Sequence, residues 1–128
     1  LMCKEMSQSP KARAVLFEIY GALQRFIDTG ETWSIFINKM SLVSEERQEI
    51  RDFLGIGHIK IDLLDSAEAA EWIESGISGI WYGVHYDQTK NPILETIEIG
   101  RFPQVASSQI EDVHRSLKKI QLGLNDRE

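Results

Sequence analysis

The stretch Glu74–Asp87, ESGISGIWYGVHYD, decides how this chain is read. From Ile80 it alternates as a β-strand does, yet Gly76, Gly79 and Gly83 crowd in with Trp81, Tyr82, His85 and Tyr86. Glycine weakens a strand interior unless it forms a bulge or lets another group approach the backbone closely. The segment is therefore either a bent structural strand or a surface that receives a partner. In the second reading Gly79 and Gly83 admit a partner's backbone, Trp81 is the anchor, and Glu74 and His85 stand beside it. In the first, Trp81 packs beneath a helix and Gly79 merely bends the strand.

Working outward, PILETIEIG (Pro92–Gly100) also alternates, and DQTKN between them is a polar connection of hairpin length. HIKIDLL (His58–Leu64) places Ile59, Ile61 and Leu63 on one face and His58, Lys60 and Asp62 on the other. Residues 58–100 are thus predicted to form an antiparallel meander that buries Ile59, Ile61, Ile80, Val84, Ile97 and Ile99. DSAEAAEWIESG (Asp65–Gly76) points two ways. Asp65 and Glu68 offer a capping-box-like start and the alanines favour helix, so propensity predicts helix. Alternation instead sets Glu68, Ala70, Trp72 and Glu74 against Ala69, Glu71 and Ile73.

Three helices complete the chain. SPKARAVLFEIYGALQRFIDTG carries Ser9 as cap, Pro10 at the first helical position and Gly30 at the exit, with Leu16, Ile19, Tyr20, Leu23, Phe26 and Ile27 on one face. SEERQEIRDFLG has Ser44 as cap, Glu45 and Glu46 in the first turn, and Ile50, Phe53 and Leu54 as its buried stripe. In SSQIEDVHRSLKKIQLGLN, Ser108 and Glu111 suggest a capping box, and Ile110, Val113, Leu117, Ile120 and Leu124 form one apolar seam. TWSIFI is a short strand. With no repeat, low-complexity run or linker, residues 1–128 read as one α+β domain: an antiparallel β-meander sheet with helices packed on one side.

Composition narrows the function. Of 128 residues, 42% are hydrophobic and 27% charged, enough for a core. The net charge is -6 and the 14 basic residues are scattered, so nothing points to nucleic acid. No apolar run approaches the roughly 20 residues that span a bilayer, and LMCKEMSQSP lacks the apolar middle of a signal peptide. A soluble, cytoplasmic protein is expected. The lone Cys3 leaves no internal disulfide and no thiolate cage for zinc or iron–sulfur. The start at Leu1 suggests that an upstream region is missing.

Catalytic patterns are not found. His58, His85 and His114 lack local metal-ligand spacing, and SGISG is not a nucleophile elbow. LGIG (Leu54–Gly57) lacks the Lys–Ser/Thr of a phosphate loop and leads into a strand, so it reads as a helix exit. Glu45/Glu46 suits the helix dipole, while Glu95 and Glu98 fall on opposite strand faces. No enzyme activity and no cofactor are expected.

Four motifs in order nevertheless resemble one family, the C-terminal conserved region of the HupH/HyaF hydrogenase-expression proteins. LFEIYGALQRFIDTGETWSIFINKMSL is similar to the family's leading helix, glycine turn and strand. FLGIGHIKI resembles its LGxGEV signature, IESGISGIW its I-x-E-T-x-x-x-G-V-W signature, and IEIGRFP the element that closes its sheet. The likeness covers roughly residues 13–105, with His58 in place of Glu, Ser75 in place of Thr and Ile80 in place of Val. It implies that residues 67–74 run as a strand, against propensity, and that an N-terminal family region exists. It further implies an accessory factor for maturation of the uptake nickel–iron hydrogenase, acting on the iron–sulfur small subunit or with another maturation factor. Glu74, Gly79, Trp81, Gly83, His85 and His58 are then the partner-binding candidates. The alternative is a small metal- or ligand-handling protein using Glu74, His85 and His58.

Overall fold

The structure is a computed structural model and describes residues 9–64 and 67–126. Helix α1 (Pro10–Thr29) starts where the Ala12 amide donates to the Ser9 hydroxyl, and ends at Gly30 in the left-handed region, as the caps predict. Strand β1 (Trp33–Phe36) and a 3-10 turn (Ile37–Lys39) lead to α2 (Ser44–Leu54). There the N-cap is Val43, one residue before the expected Ser44: the Glu46 carboxylate folds back to accept from the Val43 amide and from the Ser9 hydroxyl. One side chain thus fastens the starts of α1 and α2 together.

Strands β2 (Lys60–Leu63), β3 (Ala70–Glu74), β4 (Ile80–Tyr86) and β5 (Pro92–Ile99) follow, and the antiparallel sheet has the order β1-β5-β4-β3-β2. The meander is present. Tertiary pairing overrides the helix propensity of the alanine-rich segment, because β3 lies between β2 and β4 with Trp72 opposite Ile61 and Gly83. Its proposed cap, Asp65, lies outside the described residues, as does Cys3.

The sheet has two unlike faces. Ile35, Ile80, Tyr82, Ile97 and Ile99 meet α1 and α2 in the main core, joined by Leu16, Ile19, Ile50 and Leu54. Arg51 lies over the Tyr82 ring at 4.5 Å, and the Tyr82 hydroxyl donates to the Gly55 carbonyl at 2.7 Å. Burial pushes that phenol up to about 12. On the opposite face Ala70, Trp72 and Trp81 form a second cluster with Ile61 against it.

This division corrects part of the predicted core. Ile59 is exposed and Ile61 only half-buried, because β2 is an edge strand whose apolar residues face away from the helices. Val84, on β4, is half-buried on the helical side, where it lines a small cavity beside Arg47, Arg51 and Glu95. Tyr20, Ile27 and Phe53 are exposed, since the stripe that packs is Ala12, Val15, Leu16 and Ile19 on α1 and Ile50 and Leu54 on α2. The largest departure is α3 (Ile110–Asn125). Its N-cap is Gln109 without a side-chain hydrogen bond, not a Ser108 box, and none of its residues is buried. Only α1 and α2 form the helical layer.

Backbone contact closes the fold where α2 gives way to β2. The Gly57 amide donates to the Glu74 carbonyl (2.7 Å), the Glu74 amide to Ile59 (2.9 Å) and the Gly76 amide to Leu54 (2.9 Å). A Cβ on Gly57 would lie 2.5 Å from the Ser75 carbonyl oxygen, and one on Gly76 would lie 2.9 Å from that of Leu54. LGIG and ESG are therefore two halves of one backbone interlock. Gly57→Ala is expected to cost about 1–3 kcal/mol in urea unfolding. Gly21→Ala, in a helix interior with nothing within 4 Å, is expected to add about 0.5–1 kcal/mol. Equal effects at the two glycines would refute the interlock.

Candidate partner-binding face

Strand alternation puts Glu74, Trp81, Gly83 and His85 on the face away from the helices, with Trp72, Thr96, Glu98, Ser34 and Phe36 as their cross-strand neighbours. The Trp72 indole crosses β4 above Gly83 and donates to Glu98 Oε2 on β5 at 2.8 Å. Thr96 donates its hydroxyl to the same oxygen at 2.8 Å. A Cβ on Gly83 would sit 2.5 Å from Thr96 Oγ1, 2.8 Å from Trp72 Nε1 and 2.9 Å from Glu98 Oε2. The glycine is required because a tryptophan from the next strand occupies its side-chain space.

Trp81 is corrected as an exposed anchor. It is 3% exposed, and its indole donates to the Gly100 carbonyl at 3.2 Å, so the chain turning out of β5 pins it. No helix covers it; the covering group is the turn after β5. Gly83 is likewise buried. Gly79, at φ 93°, turns the chain between β3 and β4 and accepts from the Gly100 amide at 2.9 Å. Ser75 is buried, and its hydroxyl donates to the Ile77 carbonyl and accepts from the Ile77 amide, a role that a threonine would also fill. His58 is exposed ahead of β2.

Glu74, His58 and His85 do not converge. Glu74 pairs with Trp81, whereas His85 pairs with Ala70 four positions further along the same ladder, a separation of about 13 Å at ~3.3 Å per residue. Among the described residues no three His, Cys, Asp or Glu side chains are placed to hold a metal ion. The metal-handling alternative therefore loses its ligand set.

What remains open on this face is a groove that sequence reasoning did not find. One part, about 220 Å³, is lined by Ser34, Phe36, Phe102, Val105, Thr96 and Glu98 among others; Trp33 at its edge turns its indole to the other face, where it donates to Glu18 of α1. A second part, about 450 Å³, runs past Glu68, Asp87 and Ile93, and both share His85 and Leu94. The floor is fixed: His85 meets the Trp72 ring edge-on at 5.6 Å, and Trp72 holds Glu98. The walls are half-exposed aromatic and aliphatic side chains. Their charge is acidic. The Thr89 hydroxyl and the Asn91 amide hold the Asp87 carboxyl below its ordinary range, keeping it ionised. By contrast the cavity under α2, near the Arg47–Glu95 ion pair, is about 50 Å³, far below the roughly 300–1,000 Å³ of small-molecule sites.

The other edge of the sheet is held by charge. Glu71 accepts from the Tyr86 hydroxyl and pairs with Lys60 of β2 at 3.1 Å. The Tyr86 hydrogen bond, then Lys60, draws the Glu71 carboxyl below its usual value, and Glu71 in turn raises Tyr86 and Lys60.

Against known proteins, the family model of the HupH hydrogenase expression protein, C-terminal conserved region, matches residues 10–125. Among solved structures, the hydrogenase expression protein HupH from Thiobacillus denitrificans ATCC 25259 has the same fold, with a TM-score of 0.81 at 24% identity over 94% of this chain and 99% of that one. No curated protein matches.

Trp81→Ala is expected to cost about 3–5 kcal/mol in chemical denaturation, as a core tryptophan does. Gly83→Ala is expected to cost about 1–3 kcal/mol and to red-shift tryptophan emission as Trp72 is displaced; unchanged emission would contradict the crossing geometry. For Glu71 the folded value is depressed, so its stabilisation is complete above the unfolded value, for which 4.5 is the reference. It is lost as pH falls through the lower folded value. Melting temperature followed from neutral to acid should therefore fall less steeply in Glu71→Gln than in the parent, and parallel curves would exclude the effect.

Proposed function

The chain belongs to the HupH hydrogenase expression protein family through its C-terminal conserved region, and on that footing we propose that it is a non-catalytic assembly factor that holds a client segment in the groove on the helix-free face of its sheet. Membership gives it a role in hydrogenase expression. The client in this reading is the iron–sulfur small subunit of the uptake nickel–iron hydrogenase, bound in the cytoplasm before the complex is complete. Among the described residues no helix is long and apolar enough to cross a membrane.

The observation that carries this reading is the groove with Glu98 in its floor. A carboxylate whose one oxygen is taken by Trp72 and Thr96 keeps its charge in place and offers its other oxygen to an incoming cation. Around it, Phe36 and Phe102 present apolar surface that a partner would desolvate. That combination suits a segment mixing apolar and basic side chains, held without chemistry. Of the original candidates, His85 lies in the groove and Glu74 on its face, while Trp81, Gly83 and Gly79 shape it from beneath and His58 stands outside.

Capture of small-subunit precursor on immobilised protein tests the reading. Glu98→Gln keeps the acceptor for Trp72 but removes the charge, and Phe36→Lys removes an apolar wall; each is expected to weaken capture by roughly tenfold or more. Phe17→Ser, on the exposed side of α1, serves as the control and should leave capture unchanged. Full capture by both groove variants, or its loss in the control alone, would move the client elsewhere.

A further inference from the structure

Strand β2 ends the sheet, and its ladder with β3 fixes which of its backbone groups point outward. The Glu74 amide donates to the Ile59 carbonyl, and Ile61 and Leu63 stand opposite Trp72 and Ala70. Antiparallel alternation therefore turns the amides and carbonyls of Ile61 and Leu63 toward β3 and those of Lys60 and Asp62 away from it. Among the described residues no strand lies beyond them. The side chains alternate too. Ile59 and Leu63 are exposed and Ile61 is half-buried beside Trp72 on the helix-free face, while Lys60 and Asp62 are exposed on the other face.

We propose that β2 pairs with β2 of a second copy of this chain, antiparallel about a twofold axis at Ile61, so that two five-stranded sheets join into one of ten strands. The strand is complementary to its own reverse. With Ile61 opposite Ile61 of the other copy, each Lys60 faces the other Asp62 and each Ile59 faces the other Leu63. The outward backbone groups of Lys60 and Asp62 then meet as hydrogen-bonded pairs, with apolar partners together on one face and opposite charges together on the other. Register is specified as well. A slip of two residues in one direction sets Lys60 against Lys60, and in the other direction Asp62 against Asp62, both of which are unfavourable. A slip of one residue opposes outward backbone groups to groups already turned toward β3.

A lysine on an edge strand ordinarily repels an added strand. Here Lys60 lies 3.6 Å from Asp62 and 3.1 Å from Glu71 of its own chain, and the pairing gives it a further carboxylate from across the axis. The edge thus rejects strands of other charge pattern and accepts its own copy. The ladder is short, so this dimer belongs with the weak interfaces that bury less than about 1,200 Å². None of the β2 residues lines the groove assigned to the client, and the pairing stands or falls without that assignment. Because the twofold axis crosses the sheet, both grooves open on the same side of the dimer.

Sedimentation of the purified chain over a wide concentration range should give a monomer that passes into a dimer as concentration rises. Lys60→Asp and Asp62→Lys each put like charges across the axis twice per dimer, so each should weaken the dimer by roughly tenfold or more. Both side chains are about half-exposed, and circular dichroism of each variant should match the parent. Mixing the two variants is the decisive arm: their paired faces carry opposite charge, so a heterodimer should form more tightly than either variant pairs with itself. The double variant, with both reversals in one chain, should recover the parent dimer. Hydrogen exchange at the Lys60 and Asp62 amides should slow as concentration rises. A monomer at every concentration, a dimer indifferent to both single reversals, or a mixture no tighter than its components would each overturn the proposal.

Discussion

Trp72 lying across Gly83 is the constraint on which the two-faced character of this sheet depends. With any side chain at position 83 the indole could not reach Glu98 on β5, and the helix-free face would lose the residue that spans its three central strands. With glycine there, the face has a small dry core of its own, Ala70, Trp72 and Trp81, without a second helical layer. Because that core is only one side chain deep, the face is solid at its floor and open above. A second layer of helices would have buried the same strands and left no groove. The absence of polar strain is part of the arrangement: among the described residues every buried polar side-chain atom has a hydrogen-bond partner.

Glycine thus does two separate jobs in this fold. At Gly57 and Gly76 it lets backbone meet backbone, which binds the exit of α2 to the β3–β4 turn. At Gly83 it lets a side chain from the neighbouring strand lie on the strand itself. Both are close approaches, yet one sets the hinge between layers and the other builds the opposite face. The two are joined through Tyr82, whose ring belongs to the helical core and whose hydroxyl reaches Gly55 in the interlock.

Much of this was legible in the sequence. Strand alternation and turn residues located β2, β4 and β5, the caps of α1 were read correctly, and the family resemblance chose strand over helix for Trp72 and its neighbours. What local pattern could not supply was the identity of each face. The alternation of Ile59, Ile61 and Leu63 is real, but alternation says only that two faces differ, and the apolar one here turns away from the helices on an edge strand. The same limit applied to Glu98: its place opposite Glu95 was read from the strand period, whereas its bond to Trp72 depends on which strand lies next to which. A signal for it existed in the glycine itself, since Gly83 in a strand of large residues asks what fills the missing side chain's space. Trp81 stayed open between anchor and core for the related reason that its cover, the Gly100 turn, lies 19 residues along the chain.

The groove and the seam of α3 are both apolar, and among the described residues neither is covered. An apolar groove tolerates water at a cost that grows with its area, and so does an apolar helix. In the proposed role that cost favours any segment that covers the walls, so coverage alone does not select a client. Glu98 supplies the selection. A segment that lies on Phe36 and Phe102 also takes water from the carboxylate between Trp72 and Thr96, and one that brings no cation leaves that charge desolvated and unpaired. The penalty against the wrong segment, more than the attraction of the right one, then sets specificity.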